Sequence, residues 1–483
     1  MLAIFSIIWR YPLFGPSAED ERTTCTDEMG GFDHELQNVV QTGVGFLFIL
    51  WAFNGQASIE QTIISNAAKS GGISEYAGFN SLAILYFFFF IGNFLAVPVV
   101  EHIGAKLSMV LGGICYASFQ VGFLFLNEWY LYISSAVLGL GAGVLWTGQG
   151  KYLAMISTGD NSRRNSGILW AIFQASIALG GAFLLVMFSF IATGTSISTP
   201  TVRILYSAFT AMNMAGIIIL VLLRKPDFEK PLEAVPLGRN LVSTFELLIT
   251  KKMLLLAFAF GFTGLETSMW SGVYPTVISF TRQLGDDTNA LIAIYSIFGG
   301  VGQIIGGCVF GILGDKTKRF GRHNIVMCGM ALHLITFAAI FVNFPAEAVF
   351  KTTTEGGLIT PSIIIALACG FLLGLCDSIW NTQLYAFVVD NYRSQSSQAF
   401  AVFKSYQALC ACMGFLYSSK INLNWQLLIL AIIAILGAVG FYICEKFIEN
   451  ERKISSASEE SMREIKAYTF NVDLGLEENK LTV

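Results

Sequence analysis

Apolar runs of about twenty residues recur twelve times between residues 38 and 446, and they limit this chain to very few architectures. A helix of that length crosses a hydrocarbon core about 30 Å thick. Inside lipid every backbone N–H and C=O must be paired within the protein, so runs of this kind fold as a bundle of spanning helices. Composition agrees: the chain is 54% hydrophobic and only 13% charged, where soluble domains carry roughly 25% charged residues. The runs lie near 38–58, 78–100, 104–126, 129–156, 165–191, 204–224, 252–280, 288–313, 323–343, 362–388, 396–418 and 423–446. An all-α integral membrane protein, multi-pass, with the lipid bilayer as its first partner, is the fold class these runs predict.

Loop charge orients the bundle. Fourteen lysines and arginines fall in the loops after even-numbered spans, against five in the loops after odd-numbered ones. Basic residues favour the cytoplasmic side, so both termini are expected there. The net charge of −4 leaves no basic excess for nucleic acid. The nine cysteines show no CxxC or Cys/His ligand spacing, and most sit in apolar runs as small buried hydrophobes. No cofactor or metal is implied, and there is no Asn-x-Ser/Thr glycosylation site. Residues 1–37 read as a non-core extension: "MLAIFSIIWRYPLF" is too short to span and lacks a signal peptide's flanks, and Met29 offers an alternative start. Residues 447–483 are polar and read as a solvated tail, with Ser455 and Ser456 as weak phosphorylation candidates and the terminal Leu-Thr-Val as a weak PDZ-type ligand.

The charged stretch "RKPDFEKPLEAVPLGRN" separates a first set of six spans (38–224) from a second (252–446), leaving 225–251 as a cytoplasmic linker. The two sets repeat each other. Glu101 after span two corresponds to Asp315 after span eight, "WTGQ" (Trp146 to Gln149) to "WNTQ" (Trp380 to Gln383), and Gln174 to Gln407. Three matches in one order, offset by 214 to 234 residues, argue for duplication of a six-helix unit.

Two six-helix halves with such loops resemble the major facilitator fold. The second loop is similar to that superfamily's acidic, glycine-bearing signature through Gly311, Leu313, Asp315, Lys316, Gly321 and Arg322. The first copy, containing Glu101, Gly104 and Lys106, is degraded: Val97 stands for the first glycine and Ala105 for the second. The strings "VLWTGQGKYL", "RRNSGILWAIFQAS", "TGLETSMWSGVYPTVI", "RFGRHNIVMCGMALHLITF", "LGLCDSIWNTQLYAF" and "NWQLLIL" narrow the resemblance to the uncoordinated-93-like family, over roughly 38–446. That resemblance implies a gate loop bracing helix ends at the cytoplasmic face, and a central cavity lined by spans one, four, seven and ten. It implies two functions: a secondary transporter of a small solute working by alternating access, or an accessory protein that regulates a potassium channel or escorts a membrane receptor.

Polar residues inside the runs carry the functional signal, because an ionisable group there costs at least about 2.5 kcal/mol and normally faces the bundle interior. Asp377 lies about 22 Å into span ten, with Asn381 one turn on along the same face. Lys404 in span eleven lies at a similar depth, which predicts an ion pair or water-bridged contact with Asp377, and Gln407 continues its face. Glu266 sits near mid-membrane in span seven, with Asn54 as its counterpart in span one and Gln149 facing the cavity from span four. Glu266, Asp377 and Lys404 are candidates to couple protons or hold a charged solute. Structural readings compete: amides often bridge helices for about 0.6 kcal/mol each, and Lys151 at the end of span four reads as snorkelling. No P-loop, metal cluster or nucleophile–base pair occurs, so an enzyme is not expected. Plasma membrane and endomembranes are not distinguished.

Overall fold

The computed structural model describes residues 27–69, 73–74, 77–125, 127–157, 161–191, 199–224, 237–285, 288–312, 320–418 and 420–480. Fourteen α-helices occur among them: α1 Asp27–Lys69, α2 Ala77–Ile103, α3 Ala105–Gly122, α4 Glu128–Ile156, α5 Ser162–Ile191, α6 Thr199–Val221 and α7 Leu237–Leu248, then α8 Lys251–Ser268, α9 Tyr274–Phe280, α10 Thr288–Ile312, α11 Arg322–Asn343, α12 Ile363–Asn391, α13 Ser396–Ser418 and α14 Leu423–Lys480. Eleven membrane-length apolar spans are found among the described residues, with α8 and α9 forming one of them, Lys251–Phe280. Twelve were expected. The difference falls on α3, whose 18 residues reach only about 27 Å and include Lys106 and Gln120.

Local chemistry sets the helix starts. The Asn127 side chain accepts from the Tyr130 N–H to cap α4, and Thr250 accepts from Met253 to cap α8. Pro345 and Pro361 bracket the irregular segment between α11 and α12. The helices then pair in a repeated order. α4 packs on α2 and α3, and α3 on α6; later in the chain α12 packs on α10 and α11, and α11 on α14. Two long seams join early helices to late ones, α5 with α10 and α2 with α13. Large apolar side chains such as Ile364 on α12 and Ile204 on α6 remain outward-facing, as a lipid solvent allows.

Three connecting or terminal segments carry helix of their own. In the 225–251 linker, residues 225–236 lie outside the described set, but 237–248 form α7. Its Phe245 stacks on Phe94 of α2, ring centroids 4.9 Å apart, while the Leu248 carbonyl meets the Tyr406 hydroxyl of α13. Residues 27–37, read as part of the extension, belong to α1. The polar tail continues α14 to Lys480, because it is rich in Glu with several Lys and Arg and meets no proline.

Candidate functional site

α8 carries Glu266 into the core two turns after Phe260, and there the helix changes pitch. Residues Met269–Val273 form a π turn, followed by Pro275 at the start of α9. A proline has no N–H to return to the preceding turn, and π turns of this kind concentrate at functional positions. Glu266 is fully buried, and its Oε1 lies 2.5 Å from Nε2 of His333 on α11. The imidazole is held by the edge of Phe262 on one side and Phe337 on the other, at 5.0 and 5.4 Å between centroids. His333 was not among the candidates read from sequence. It lies eleven residues into an apolar run, so the rule that selected Asp377 selects it too.

Asp377 on α12 is 3% exposed. Gln303 of α10 donates its Nε2 to Oδ2 at 2.7 Å, and Asn381 donates Nδ2 to Oδ1 at 2.9 Å. The Gln303 carbonyl in turn accepts from the Trp170 indole of α5 at 2.8 Å. A hydrogen-bonded line therefore runs from α5 through α10 to α12, across the α5–α10 seam. Gln303 and Trp170 were also missed in the sequence; a lone glutamine or tryptophan in a greasy helix carries no signal by itself.

Lys404 on α13 is also 3% exposed. Its Nζ donates to Gln407 Oε1 at 2.7 Å, and Gln407 donates to Thr263 Oγ1 of α8 at 3.1 Å. Three ring faces surround the ammonium: Trp146 of α4 at 4.7 Å, Phe403 at 4.9 Å and Tyr385 of α12 at 5.1 Å. Of the ion pair or water-bridged contact with Asp377 expected from depth, the direct ion pair is not made. Asp377 bonds to α10 and Lys404 lies over the α4 indole, so the two charges act on each other at similar depth without direct contact.

The first-half candidates are less connected. Asn54 donates to Ser176 Oγ at 3.1 Å, joining α1 to α5. Gln149 on α4 is fully buried, with neither amide atom bonded to a described residue, and Gln174 is buried on α5. Among the described residues neither glutamine bonds Glu266, Asp377 or Lys404. Nor does any group of three or more His, Cys, Asp or Glu form a metal-binding set among them.

At one end of the bundle Glu101 makes a brace. Lys151 of α4 donates to its Oε2 at 2.7 Å, which replaces the snorkelling reading, and Ser397 at the start of α13 donates to Oε1. Glu101 thus ties an early helix pair to a late helix. Gly104 and Gly321 occupy matching places before α3 and α11, with φ of 82° and 80°. An L side chain is strained there. The second glycine of the first loop is therefore Gly104, not the Ala105 assigned by sequence alignment, and Lys106 lies within the first turn of α3. Gly311 is helical in α10, Asp315 lies outside the described residues, and Arg322 pairs with Asp390 at the end of α12.

This arrangement has recognisable relatives. The UNC93-like protein MFSD11 of Xenopus laevis is 35% identical over 433 residues, covering 85% of this chain and 96% of its own. Protein unc-93 homolog A of Homo sapiens is 25% identical, covering 86% and 94%. Among solved structures, the E. coli fucose:proton symporter FucP in its outward conformation superposes with a TM-score of 0.58 at 14% identity, over 84% of this chain and 98% of that one. The proton:xylose symporter XylE superposes at 0.60 and 12%, over 86% and 96%. These distant likenesses show the major facilitator fold. The family model described as "Ion channel regulatory protein UNC-93" matches residues 69–442, and with the close MFSD11 relatives it places the chain: this protein belongs to the UNC-93 family, a multi-pass membrane protein of major facilitator fold.

Proposed function

We propose that this protein is a secondary transporter of a small solute, working by alternating access and coupled to protons through the buried groups of its second half. The observation that carries the reading is the concentration of Glu266, His333, Asp377 and Lys404 in the protein interior at mid-membrane depth. Charges at that depth are costly and occur where a pathway uses them. Glu266 and His333 are close enough to exchange a proton, and the π turn beside Glu266 supplies a place where span seven bends as the halves rock. FucP and XylE, of the same fold, are proton symporters, which supports this reading by analogy. With both termini cytoplasmic, the Glu101 brace is the inner gate and breaks when the protein opens inward.

The family's description favours a second reading, in which the same fold regulates an ion channel or escorts a receptor. Proteoliposomes with an entrapped pH dye separate the two. A solute that acidifies the lumen through wild-type protein but not through Asp377→Asn or Glu266→Gln supports proton-linked transport. If a broad solute library moves no protons while a channel subunit co-purifies, the accessory role replaces it.

A further inference from the structure

The charge balance of the core is uneven in a way that identifies a ligand. Glu266 has His333 against it. Asp377 accepts from two amides, Gln303 and Asn381, so its oxygens are already supplied with donors. Lys404 is different. An ammonium has three N–H donors and no acceptor capacity, and only one acceptor, the neutral Gln407 carbonyl, reaches it. Its other neighbours are the faces of Trp146, Tyr385 and Phe403. Ring faces attract a cation without neutralising it. Among the described residues no carboxylate is in ion-pair contact with this buried charge, and Asp377 acts on it only from beyond that distance.

Further unbonded polar groups lie on the residues and helices that surround it. The Tyr385 ring against Lys404 carries a buried hydroxyl with no described partner. Gln149, three residues after Trp146 on α4, has a buried amide with no described partner. The ammonium and the hydroxyl make a polar place walled by aromatic carbon, and Gln149 adds an unbonded amide, N–H and carbonyl both, one turn from Trp146. A cationic solute meets like charge there, since the cage already holds an ammonium. A zwitterion finds its would-be acid, Asp377, engaged with α10.

We propose that Lys404 anchors a binding site for small organic monoanions, carboxylates with an apolar or aromatic body. The carboxylate takes the place of Gln407 Oε1 at the ammonium, and the body lies against Trp146 and Tyr385. Trp146 precedes residue 225 and Lys404 follows residue 251, so the solute bridges the two halves. The assignment names the solute of the transporter proposed above and rests on that reading for its biological sense, though binding is tested without transport.

Benzoate, benzamide and benzylammonium share one ring and differ in charge, and butyrate with butyramide gives an aliphatic pair. Binding of each to the purified full chain in detergent is read by tryptophan fluorescence and by the thermal unfolding midpoint. The expected result is saturable binding of a carboxylate, weakened at least about tenfold in Lys404→Met and largely kept in Lys404→Arg, because a charge-assisted bond is lost in one and preserved in the other. Methionine suits an aromatic cage, so that variant keeps the packing. The amides and the amine should bind at least about tenfold more weakly than the acids. The proposal is overturned if benzylammonium binds as well as benzoate, if Lys404→Met binds benzoate unchanged, or if neither acid binds. Lys404-dependent binding without uptake into proteoliposomes leaves the anion site standing and removes transport. Proton-coupled uptake of another solute with no Lys404-dependent acid binding does the reverse.

Discussion

The helices before residue 225 and those after residue 250 pair with their neighbours in the same order, yet among the described residues only the later set fully buries charge. Every fully or nearly fully buried charged side chain among the described residues, Glu266, Arg322, His333, Asp377, Lys404 and Glu445, follows residue 250. The earlier helices bury amides instead: Gln56, Asn93, Gln120, Gln149 and Asn213. The repeat sharpens this. The offset linking Trp146 with Trp380 pairs Asp377 with Gly143, and the offset linking Gln174 with Gln407 pairs Lys404 with Ala171. The matched glycines Gly104 and Gly321 pair His333 with Tyr116. Among the described residues one half buries neutral amides where the other buries charge. A duplicated scaffold that rocks as a pair needs such groups in only one copy, provided the other presents a wall for them. Trp146 is that wall for Lys404.

The largest effect expected from this contrast is at the buried pair. His333→Leu leaves the fully buried Glu266 carboxylate without its hydrogen-bond partner, and breaking a buried pair in this way costs about 3–5 kcal/mol. The unfolding midpoint in detergent should fall sharply, and Glu266→Met together with His333→Leu should recover much of the loss. Equal midpoints for the single and double variants would show that the two groups are not coupled.

A smaller loss is expected at Gly143, the first-half counterpart of Asp377. A Cβ on Gly143 would lie 2.5 Å from the Gly92 carbonyl carbon, so Gly143→Ala must push α2 and α4 apart, at about 1–3 kcal/mol. A neutral Gly143→Ala would mean that the first half is not held by close backbone contact. The smallest change is expected at an early amide. Gln120 is fully buried with no described side-chain partner, so Gln120→Leu strands no other group and should shift stability by less than about 1 kcal/mol. A loss as large as that of His333→Leu would erase the contrast between halves.

Much of this was legible in the residues. Apolar runs of spanning length, the loop glycines and the repeated Trp-x-x-Gln strings announce the helices, their duplication and the family. Asp377, Lys404 and Glu266 stand out because a charge in an apolar run has no cheap explanation. His333 was legible by the same rule. Gln303 and Trp170 were not, since neither residue type is unusual in a membrane helix and only their placement on facing helices gives them a role.

By itself the sequence determined that this chain lives in a bilayer, how its spans are ordered and which residues are too polar to face lipid, because those properties follow from length, hydropathy and the cost of an unpaired group in hydrocarbon. Depth along a helix is one-dimensional and can be counted. Partnership cannot, because it depends on rotation about the helix axis and on which helix lies opposite. Only the tertiary structure decided that Glu266 meets His333, that Asp377 turns to Gln303, and that Lys404 stands among aromatic rings rather than beside a carboxylate.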